Sequence, residues 1–131
     1  MVTFLHTMLR VKNLEDSIKF YTEILAMNLL RKTDYPEGKF TLAFLGYDNP
    51  NSPIGGHQLE LTYNWGVDNY ELGTAYVHLA FGVKDIYKTC EEVRQKGIKI
   101  TREPGPMKGS TNILAFIEDP NGYKIELIEK K

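Results

Sequence analysis

Two histidines and two glutamates occupy matched places in this chain: His6 in LHTMLRV and His78 in VHLAFGV, Glu60 in LEL and Glu126 in IEL. Imidazole nitrogen and carboxylate oxygen both bind divalent first-row ions, and a set of two and two leaves coordination positions for water or substrate. Taken singly, none of the four carries much weight. A strand histidine is more often an ordinary polar side chain, and LEL occurs in many half-buried strands. Their register gives them weight. Setting the stretch from Leu5 against the stretch from Val77 places His6 on His78, Val11 and Lys12 on Val83 and Lys84, and Asn13 on Asp85, a shift of 72. LAFL from Leu42 falls on LAFI from Leu114 with the same shift. Glu60 then meets Glu126 at a shift of 66, so the first copy holds six extra residues, within the Pro/Gly/Asn-rich stretch GYDNPNSPIGGHQ.

The elements that must position these four follow from local patterning. Each copy reads as one strand, one helix, then several strands. In the opening strands Leu5, Thr7, Leu9 and Val11 form a core face opposite His6, Met8 and Arg10. Val77, Leu79, Phe81 and Val83 likewise oppose His78, Ala80 and Gly82. Asn13 and Asp85 are placed to cap the helices that follow. Leu14, Ile18, Tyr21 and Leu25 form one apolar stripe, matched by Ile86, Cys90, Val93 and Gly97. FTLAFLGY and NILAFI read as strands, and GHQLELTY and GYKIELIE as the last strands of their copies. Alternation turns Glu60 and Glu126 away from their apolar neighbours, to the side that carries the histidines. The reading is an α+β chain of two repeats, about 4–63 and 76–129, in one domain spanning 1–131.

Composition narrows the function. The chain has 131 residues, 42% hydrophobic and 25% charged, with a formal net charge of -1, as expected of one soluble globular domain. Neither sign of charge forms a long block, which argues against nucleic acid or an anionic membrane as partner and leaves a small-molecule substrate. No segment approaches the roughly 18 consecutive apolar residues of a membrane span. The opening MVTFLHTMLRV lacks a leader pattern, and the single cysteine, Cys90, has no internal disulfide partner. The expected location is the cytoplasm. Cys90 lies on the helix stripe opposite Ile18, which predicts a buried, inert thiol.

These residues resemble the vicinal oxygen chelate superfamily and, within it, the short bacterial type of glyoxalase I. The resemblance covers essentially the whole chain and rests on LHTMLRV from Leu5, LELTYNWGVDNYELGTAYVHLA from Leu59, GPMKG from Gly105 and EDPNGYKIELIE from Glu118. It implies two tandem βαβββ modules forming curved mixed sheets, with His6, Glu60, His78 and Glu126 as metal ligands, the four already singled out by the repeat. It further implies that Arg10 and Asn64 contact glutathione and that Lys108 helps to close over the substrate. Thr74 departs from the pattern, because some relatives carry an arginine there to grip glutathione.

The implied reaction is isomerisation of the methylglyoxal–glutathione hemithioacetal to S-D-lactoylglutathione, a detoxification, by proton abstraction to a metal-stabilised enediolate. Glu126 is the expected base, with Glu60 on the opposite face. Nitrogen and oxygen donors admit several divalent ions, and the resemblance to the short nickel- or cobalt-activated class makes nickel the first expectation, with cobalt or zinc as alternatives. The two modules could face each other within the chain or pair with those of a second chain; the resemblance implies the second, a homodimer with His6 and Glu60 of one subunit meeting His78 and Glu126 of the other. The rivals are an acyl-CoA epimerase-like enzyme, an extradiol dioxygenase, which usually needs two His and one carboxylate, and a metal-free drug-binding module.

Overall fold

The structure, a computed structural model, describes residues 1–47 and 57–131. The chain divides into two compact units, Met1–Glu71 and Leu72–Lys131. In the first, β1 (His6–Arg10) leads into α1 (Leu14–Lys19) and a π-helical turn over Phe20–Ile24, then β2 (Asn28–Tyr35), β3 (Phe40–Gly46) and β4 (Gln58–Asn64). In the second, β5 (His78–Val83) is followed by α2 (Ile86–Gln95), β6 (Ile100–Pro106), β7 (Ile113–Glu118) and β8 (Lys124–Glu129). Each module is βαβββ, as expected. The stretch assigned to the six-residue insertion lies largely outside the described residues.

Each module folds one four-stranded mixed sheet, in the order β1-β4-β3-β2 and β5-β8-β7-β6. The first and last strands pair in parallel, and the other neighbours run antiparallel. A parallel neighbour needs a crossover, and the helix supplies it. The helices begin where capping chemistry directs. The Asn13 carboxamide oxygen accepts from the Asp16 N–H at 3.0 Å, and the Asp85 carboxylate accepts from the Lys88 N–H at 3.1 Å. Gly97, at φ +77°, ends α2, and the Ile98 N–H returns to the Val93 carbonyl at 3.2 Å.

Alternation decides what is covered. In the first module Leu9, Val11, Ala43, Leu45, Leu59 and Leu61 are buried. In the second, Ala115, Ile117, Ile125 and Leu127 are fully buried, as is Ile86 of the helix. Several positions differ from the expected pattern: Leu79, Phe81 and Val83 of β5 are only half-buried, and Gly97, expected on the helix stripe, is exposed past the end of α2. Leu5 and Val77 are exposed, because each falls one residue before its strand begins. In the first helix Leu14, Tyr21 and Leu25 are buried, but Ile18 is only half-buried and Ser17 is fully buried in its stead.

Cys90 occupies the α2 stripe at 1% exposure, and burial pushes its thiol pKa up, with the Glu103 carboxylate adding to the shift. The thiolate is the reactive form. An aromatic disulfide reagent is therefore expected to label Cys90 only as fast as the protein unfolds. Rapid stoichiometric labelling of the folded protein would contradict this placement.

Candidate metal centre

Parallel pairing of β1 with β4 sets Met8 beside Glu60, and His6, two residues earlier, leaves the same side of the sheet. The His6 Nε2 lies 2.9 Å from Glu60 Oε1. The second Glu60 oxygen accepts from the Thr62 hydroxyl at 3.3 Å. Phe44, opposite Glu60 on β3, meets the imidazole as an edge contact, with ring centres 5.6 Å apart and planes at 81°. The carboxylate is only 12% exposed while the imidazole is 38% exposed, so the acid is largely withdrawn from water and the base reaches toward it.

The second module repeats this arrangement. Ala80 pairs with Glu126, His78 lies two residues earlier on the same side, and its Nε2 is 3.1 Å from Glu126 Oε1. Phe116 stands opposite Glu126 and meets the imidazole with centres 5.4 Å apart. His78 Nδ1 is buried and has no hydrogen-bond partner among the described residues.

The pairs fit a divalent ion. Bonds of about 2.1 Å to nitrogen and oxygen at a right angle would hold the two donor atoms roughly 3 Å apart. Both pairs already stand at that spacing, and both carboxylates sit where an ion would offset their loss of hydration. Each module offers one imidazole and one carboxylate, half of a four-ligand set. Among the described residues no group of three or more His, Cys, Asp or Glu side chains is placed to hold one ion.

The other expected residues are less uniform. Arg10 leaves β1 on the side of His6, and Asn64 ends β4 on the side of Glu60 with its Nδ2 donating to the Tyr70 hydroxyl at 3.0 Å. Lys108 is exposed in a turn closed by the Ser110 N–H to the Met107 carbonyl, and among the described residues of its own module no contact ties it to the His78–Glu126 pair. Thr74 lines a cavity of about 220 Å³ with Tyr76, Tyr123 and Lys124, so a cation stands beside the position where an arginine was missing.

Several contributors escaped the sequence reading. Phe44 and Phe116 brace the two imidazoles, and the repeated LAF was the available signal. Arg31 and Arg102 stand opposite Phe44 and Phe116 in the strand register, yet the shift of 72 aligns Arg31 with Glu103. Bulges in β2 and β6 hide the equivalence. Asp119 is a third. Buried, it accepts at one oxygen from the Asn121 and Tyr123 N–H groups, at 2.8 and 2.9 Å, and so fixes the turn that sets the register of β8 and of Glu126.

Residues 3–127 match the Glyoxalase/Bleomycin resistance protein/Dioxygenase superfamily, and the chain belongs to that family. The particular relatives are narrower. Lactoylglutathione lyase of Haemophilus influenzae is 61% identical over 127 residues, covering 97% of this chain and 92% of that protein. The Escherichia coli O157:H7 lactoylglutathione lyase is 57% identical with the same coverage. Among solved structures, glyoxalase I from Zea mays matches with a TM-score of 0.89 and 49% identity over 97% of this chain, which spans only 44% of the maize chain. The trypanothione-dependent glyoxalase I of Leishmania major matches with a TM-score of 0.85 and 45% identity, covering 98% of this chain and 87% of that one.

Replacing Asp119 by alanine takes the carboxylate acceptor from a buried N–H, of Asn121, and a part-buried one, of Tyr123. Stability is expected to fall by roughly 2–3 kcal/mol, read from the urea midpoint, with Asp119→Asn recovering part. A midpoint unchanged in Asp119→Ala would remove the carboxylate from this role.

Proposed function

We propose that this chain acts as a lactoylglutathione lyase, isomerising the hemithioacetal of methylglyoxal and glutathione to S-D-lactoylglutathione. The observation that carries this reading is the His–Glu contact, at 2.9 and 3.1 Å, repeated in both modules of a chain 61% identical to a lactoylglutathione lyase. The family also includes binding proteins and dioxygenases. Two matched imidazole–carboxylate pairs favour an enzyme over a binding module, and four ligands favour it over a dioxygenase, which usually needs three.

In this reading His6, Glu60, His78 and Glu126 hold one divalent ion. Because each module contributes two ligands, a homodimer would complete two sites, with His6 and Glu60 of one subunit facing His78 and Glu126 of the other. The two repeats then serve one functional domain. Nickel is the first choice, and cobalt or zinc also suits nitrogen and oxygen donors. When bound, the ion supplies Lewis-acid stabilisation of negative charge developing on two adjacent substrate oxygens.

The residues perform the proton transfer. A Glu126 oxygen takes the proton from the hemithioacetal carbon and returns it to the adjacent carbon, which becomes the hydroxyl-bearing centre of the product. The thiol-bearing carbon becomes the thioester carbonyl as its hydroxyl proton passes to the oxygen of the adjacent carbon, so no oxidant or reductant is needed. Glu60 flanks the opposite face of the substrate. Arg10 and Asn64 hold polar groups of glutathione, Lys124 offers a second cation beside Thr74, and Lys108 closes over the bound molecule. A buried free thiol at Cys90 suits the reducing cytoplasm.

The test strips the protein with a chelator, reloads it with nickel, cobalt, zinc or magnesium, and follows thioester formation. Activity should return with nickel or cobalt. Silence with every ion would leave a binding module as the better account. Glu126→Gln should lower kcat by roughly 10²–10⁴ with the circular dichroism spectrum retained, and near-normal turnover would exclude Glu126 as base. Arg10→Ala should act mainly by raising KM for the hemithioacetal, and an unchanged KM would refute its part in thiol capture.

A further inference from the structure

One cation on the open side of the first sheet has no part in the chemistry just described. The pairing of Arg31 with Phe44 and of Phe44 with Glu60 sets the three in one row across β2, β3 and β4, on the side that carries His6. The Arg31 guanidinium lies 3.9 Å from the centre of the Phe44 ring, and the same ring braces the His6 imidazole. A single aromatic ring thus separates a permanent positive charge from the proposed metal ligands of this module.

The second module supplies an internal control. Arg102, at the equivalent register position opposite Phe116, donates to the backbone carbonyls of Leu114, Pro106 and Gly105 at 2.7, 3.1 and 3.2 Å. That guanidinium is used to hold the irregular strand β6 together. Arg31 does no such work: among the described residues its partner is the Phe44 ring, and no carboxylate pairs with it. A guanidinium stacked on a ring still directs its N–H donors outward in its own plane, where they suit a carboxylate or phosphate.

Position selects which part of the substrate would meet it. Arg10 lies on β1 and Asn64 ends β4, and these hold the thiol half in the reading above. Arg31 lies on β2, at the opposite edge of the sheet from β1. The substituent brought by the aldehyde is what remains to face β2. We propose that Arg31 is a specificity residue that admits 2-oxoaldehydes whose tail ends in an oxyanion, as well as those with an uncharged tail. This rests on the chain being a hemithioacetal isomerase and adds a substrate class to it.

The experiment compares wild-type holoenzyme with Arg31→Met and Arg31→Lys on two 2-oxoaldehydes of equal chain length, one ending in a carboxylate and one in a methyl group. In Arg31→Met the ratio of kcat/KM for the charged over the uncharged aldehyde should fall roughly fivefold to tenfold, and Arg31→Lys should recover part of it. A second readout needs no turnover. Calorimetric affinity for S-carboxybutylglutathione should drop by a similar factor, while affinity for S-pentylglutathione should not. Equal losses for charged and uncharged compounds would reduce Arg31 to a brace for Phe44 and overturn the proposal. So would a loss that disappears when the glutathione carboxylates are esterified, because the cation would then serve the thiol half. A wild-type enzyme that isomerises methylglyoxal with an unchanged ratio in the mutant sinks this inference alone. A wild type inactive on every aldehyde with every ion, and binding neither thioether, sinks the functional reading beneath it.

Discussion

Parallel pairing of the first strand of each module with its last is the constraint on which the site depends. In a parallel pair, residues in register project to the same side, so Met8 beside Glu60 and Ala80 beside Glu126 fix where His6 and His78 must lie. A slip of one residue in β4 or β8 would turn the carboxylate into the apolar layer and a leucine or isoleucine out of it. Leu59 and Leu61, and Ile125 and Leu127, are nearly or fully buried, so the hydrophobic penalty of that slip guards the position of the acid between them. The same burial that stabilises each sheet therefore specifies the chemistry on its other side.

Around that constraint the two modules are alike in part. Both place an aromatic ring against the imidazole, from the same register position on the third strand, and this limits the rotation of a side chain whose orientation matters for coordination. They part at the neighbouring arginine, which binds a bulged backbone in one module and stacks on the ring in the other. They part also at the acid's second oxygen, which has the Thr62 hydroxyl in the first module, while the corresponding side chain in the second is Ile128. A duplication that had only to fold would be free to lose its matched polar residues. Here the His–Glu contact recurs in both modules while the residues around it differ.

Much of this was legible in the sequence because it depends on short-range patterns. Alternation fixed the side taken by His6 and Glu126, Asn13 and Asp85 announced their helices, and the repeat separated the two halves. The strands that escaped are β2 and β6. Every residue of β2 is exposed, so hydrophobic alternation had no reason to appear in NLLRKTDY, and bulges in both strands moved their residues off the shift of 72 that aligned the opening strands, the helices and the LAF segments. Ile18 was misplaced because residues three and four positions after Leu14 lie on the same face of a helix, and it is Ser17, the third, that takes the buried place.

What sequence could not supply was the distinction between an arginine that holds the backbone and one that faces outward, because the two lie in strands of similar composition. That distinction comes from accounting for donors. In Arg102 the guanidinium N–H groups are spent on the backbone carbonyls of Leu114, Gly105 and Pro106, beside the register shifts of β6. The first module meets no such demand, since β2 pairs with β3 along nearly its whole length. Arg31 is thus left, among the described residues, with no backbone carbonyl to serve, and the Phe44 ring that it covers is the one that meets the His6 imidazole.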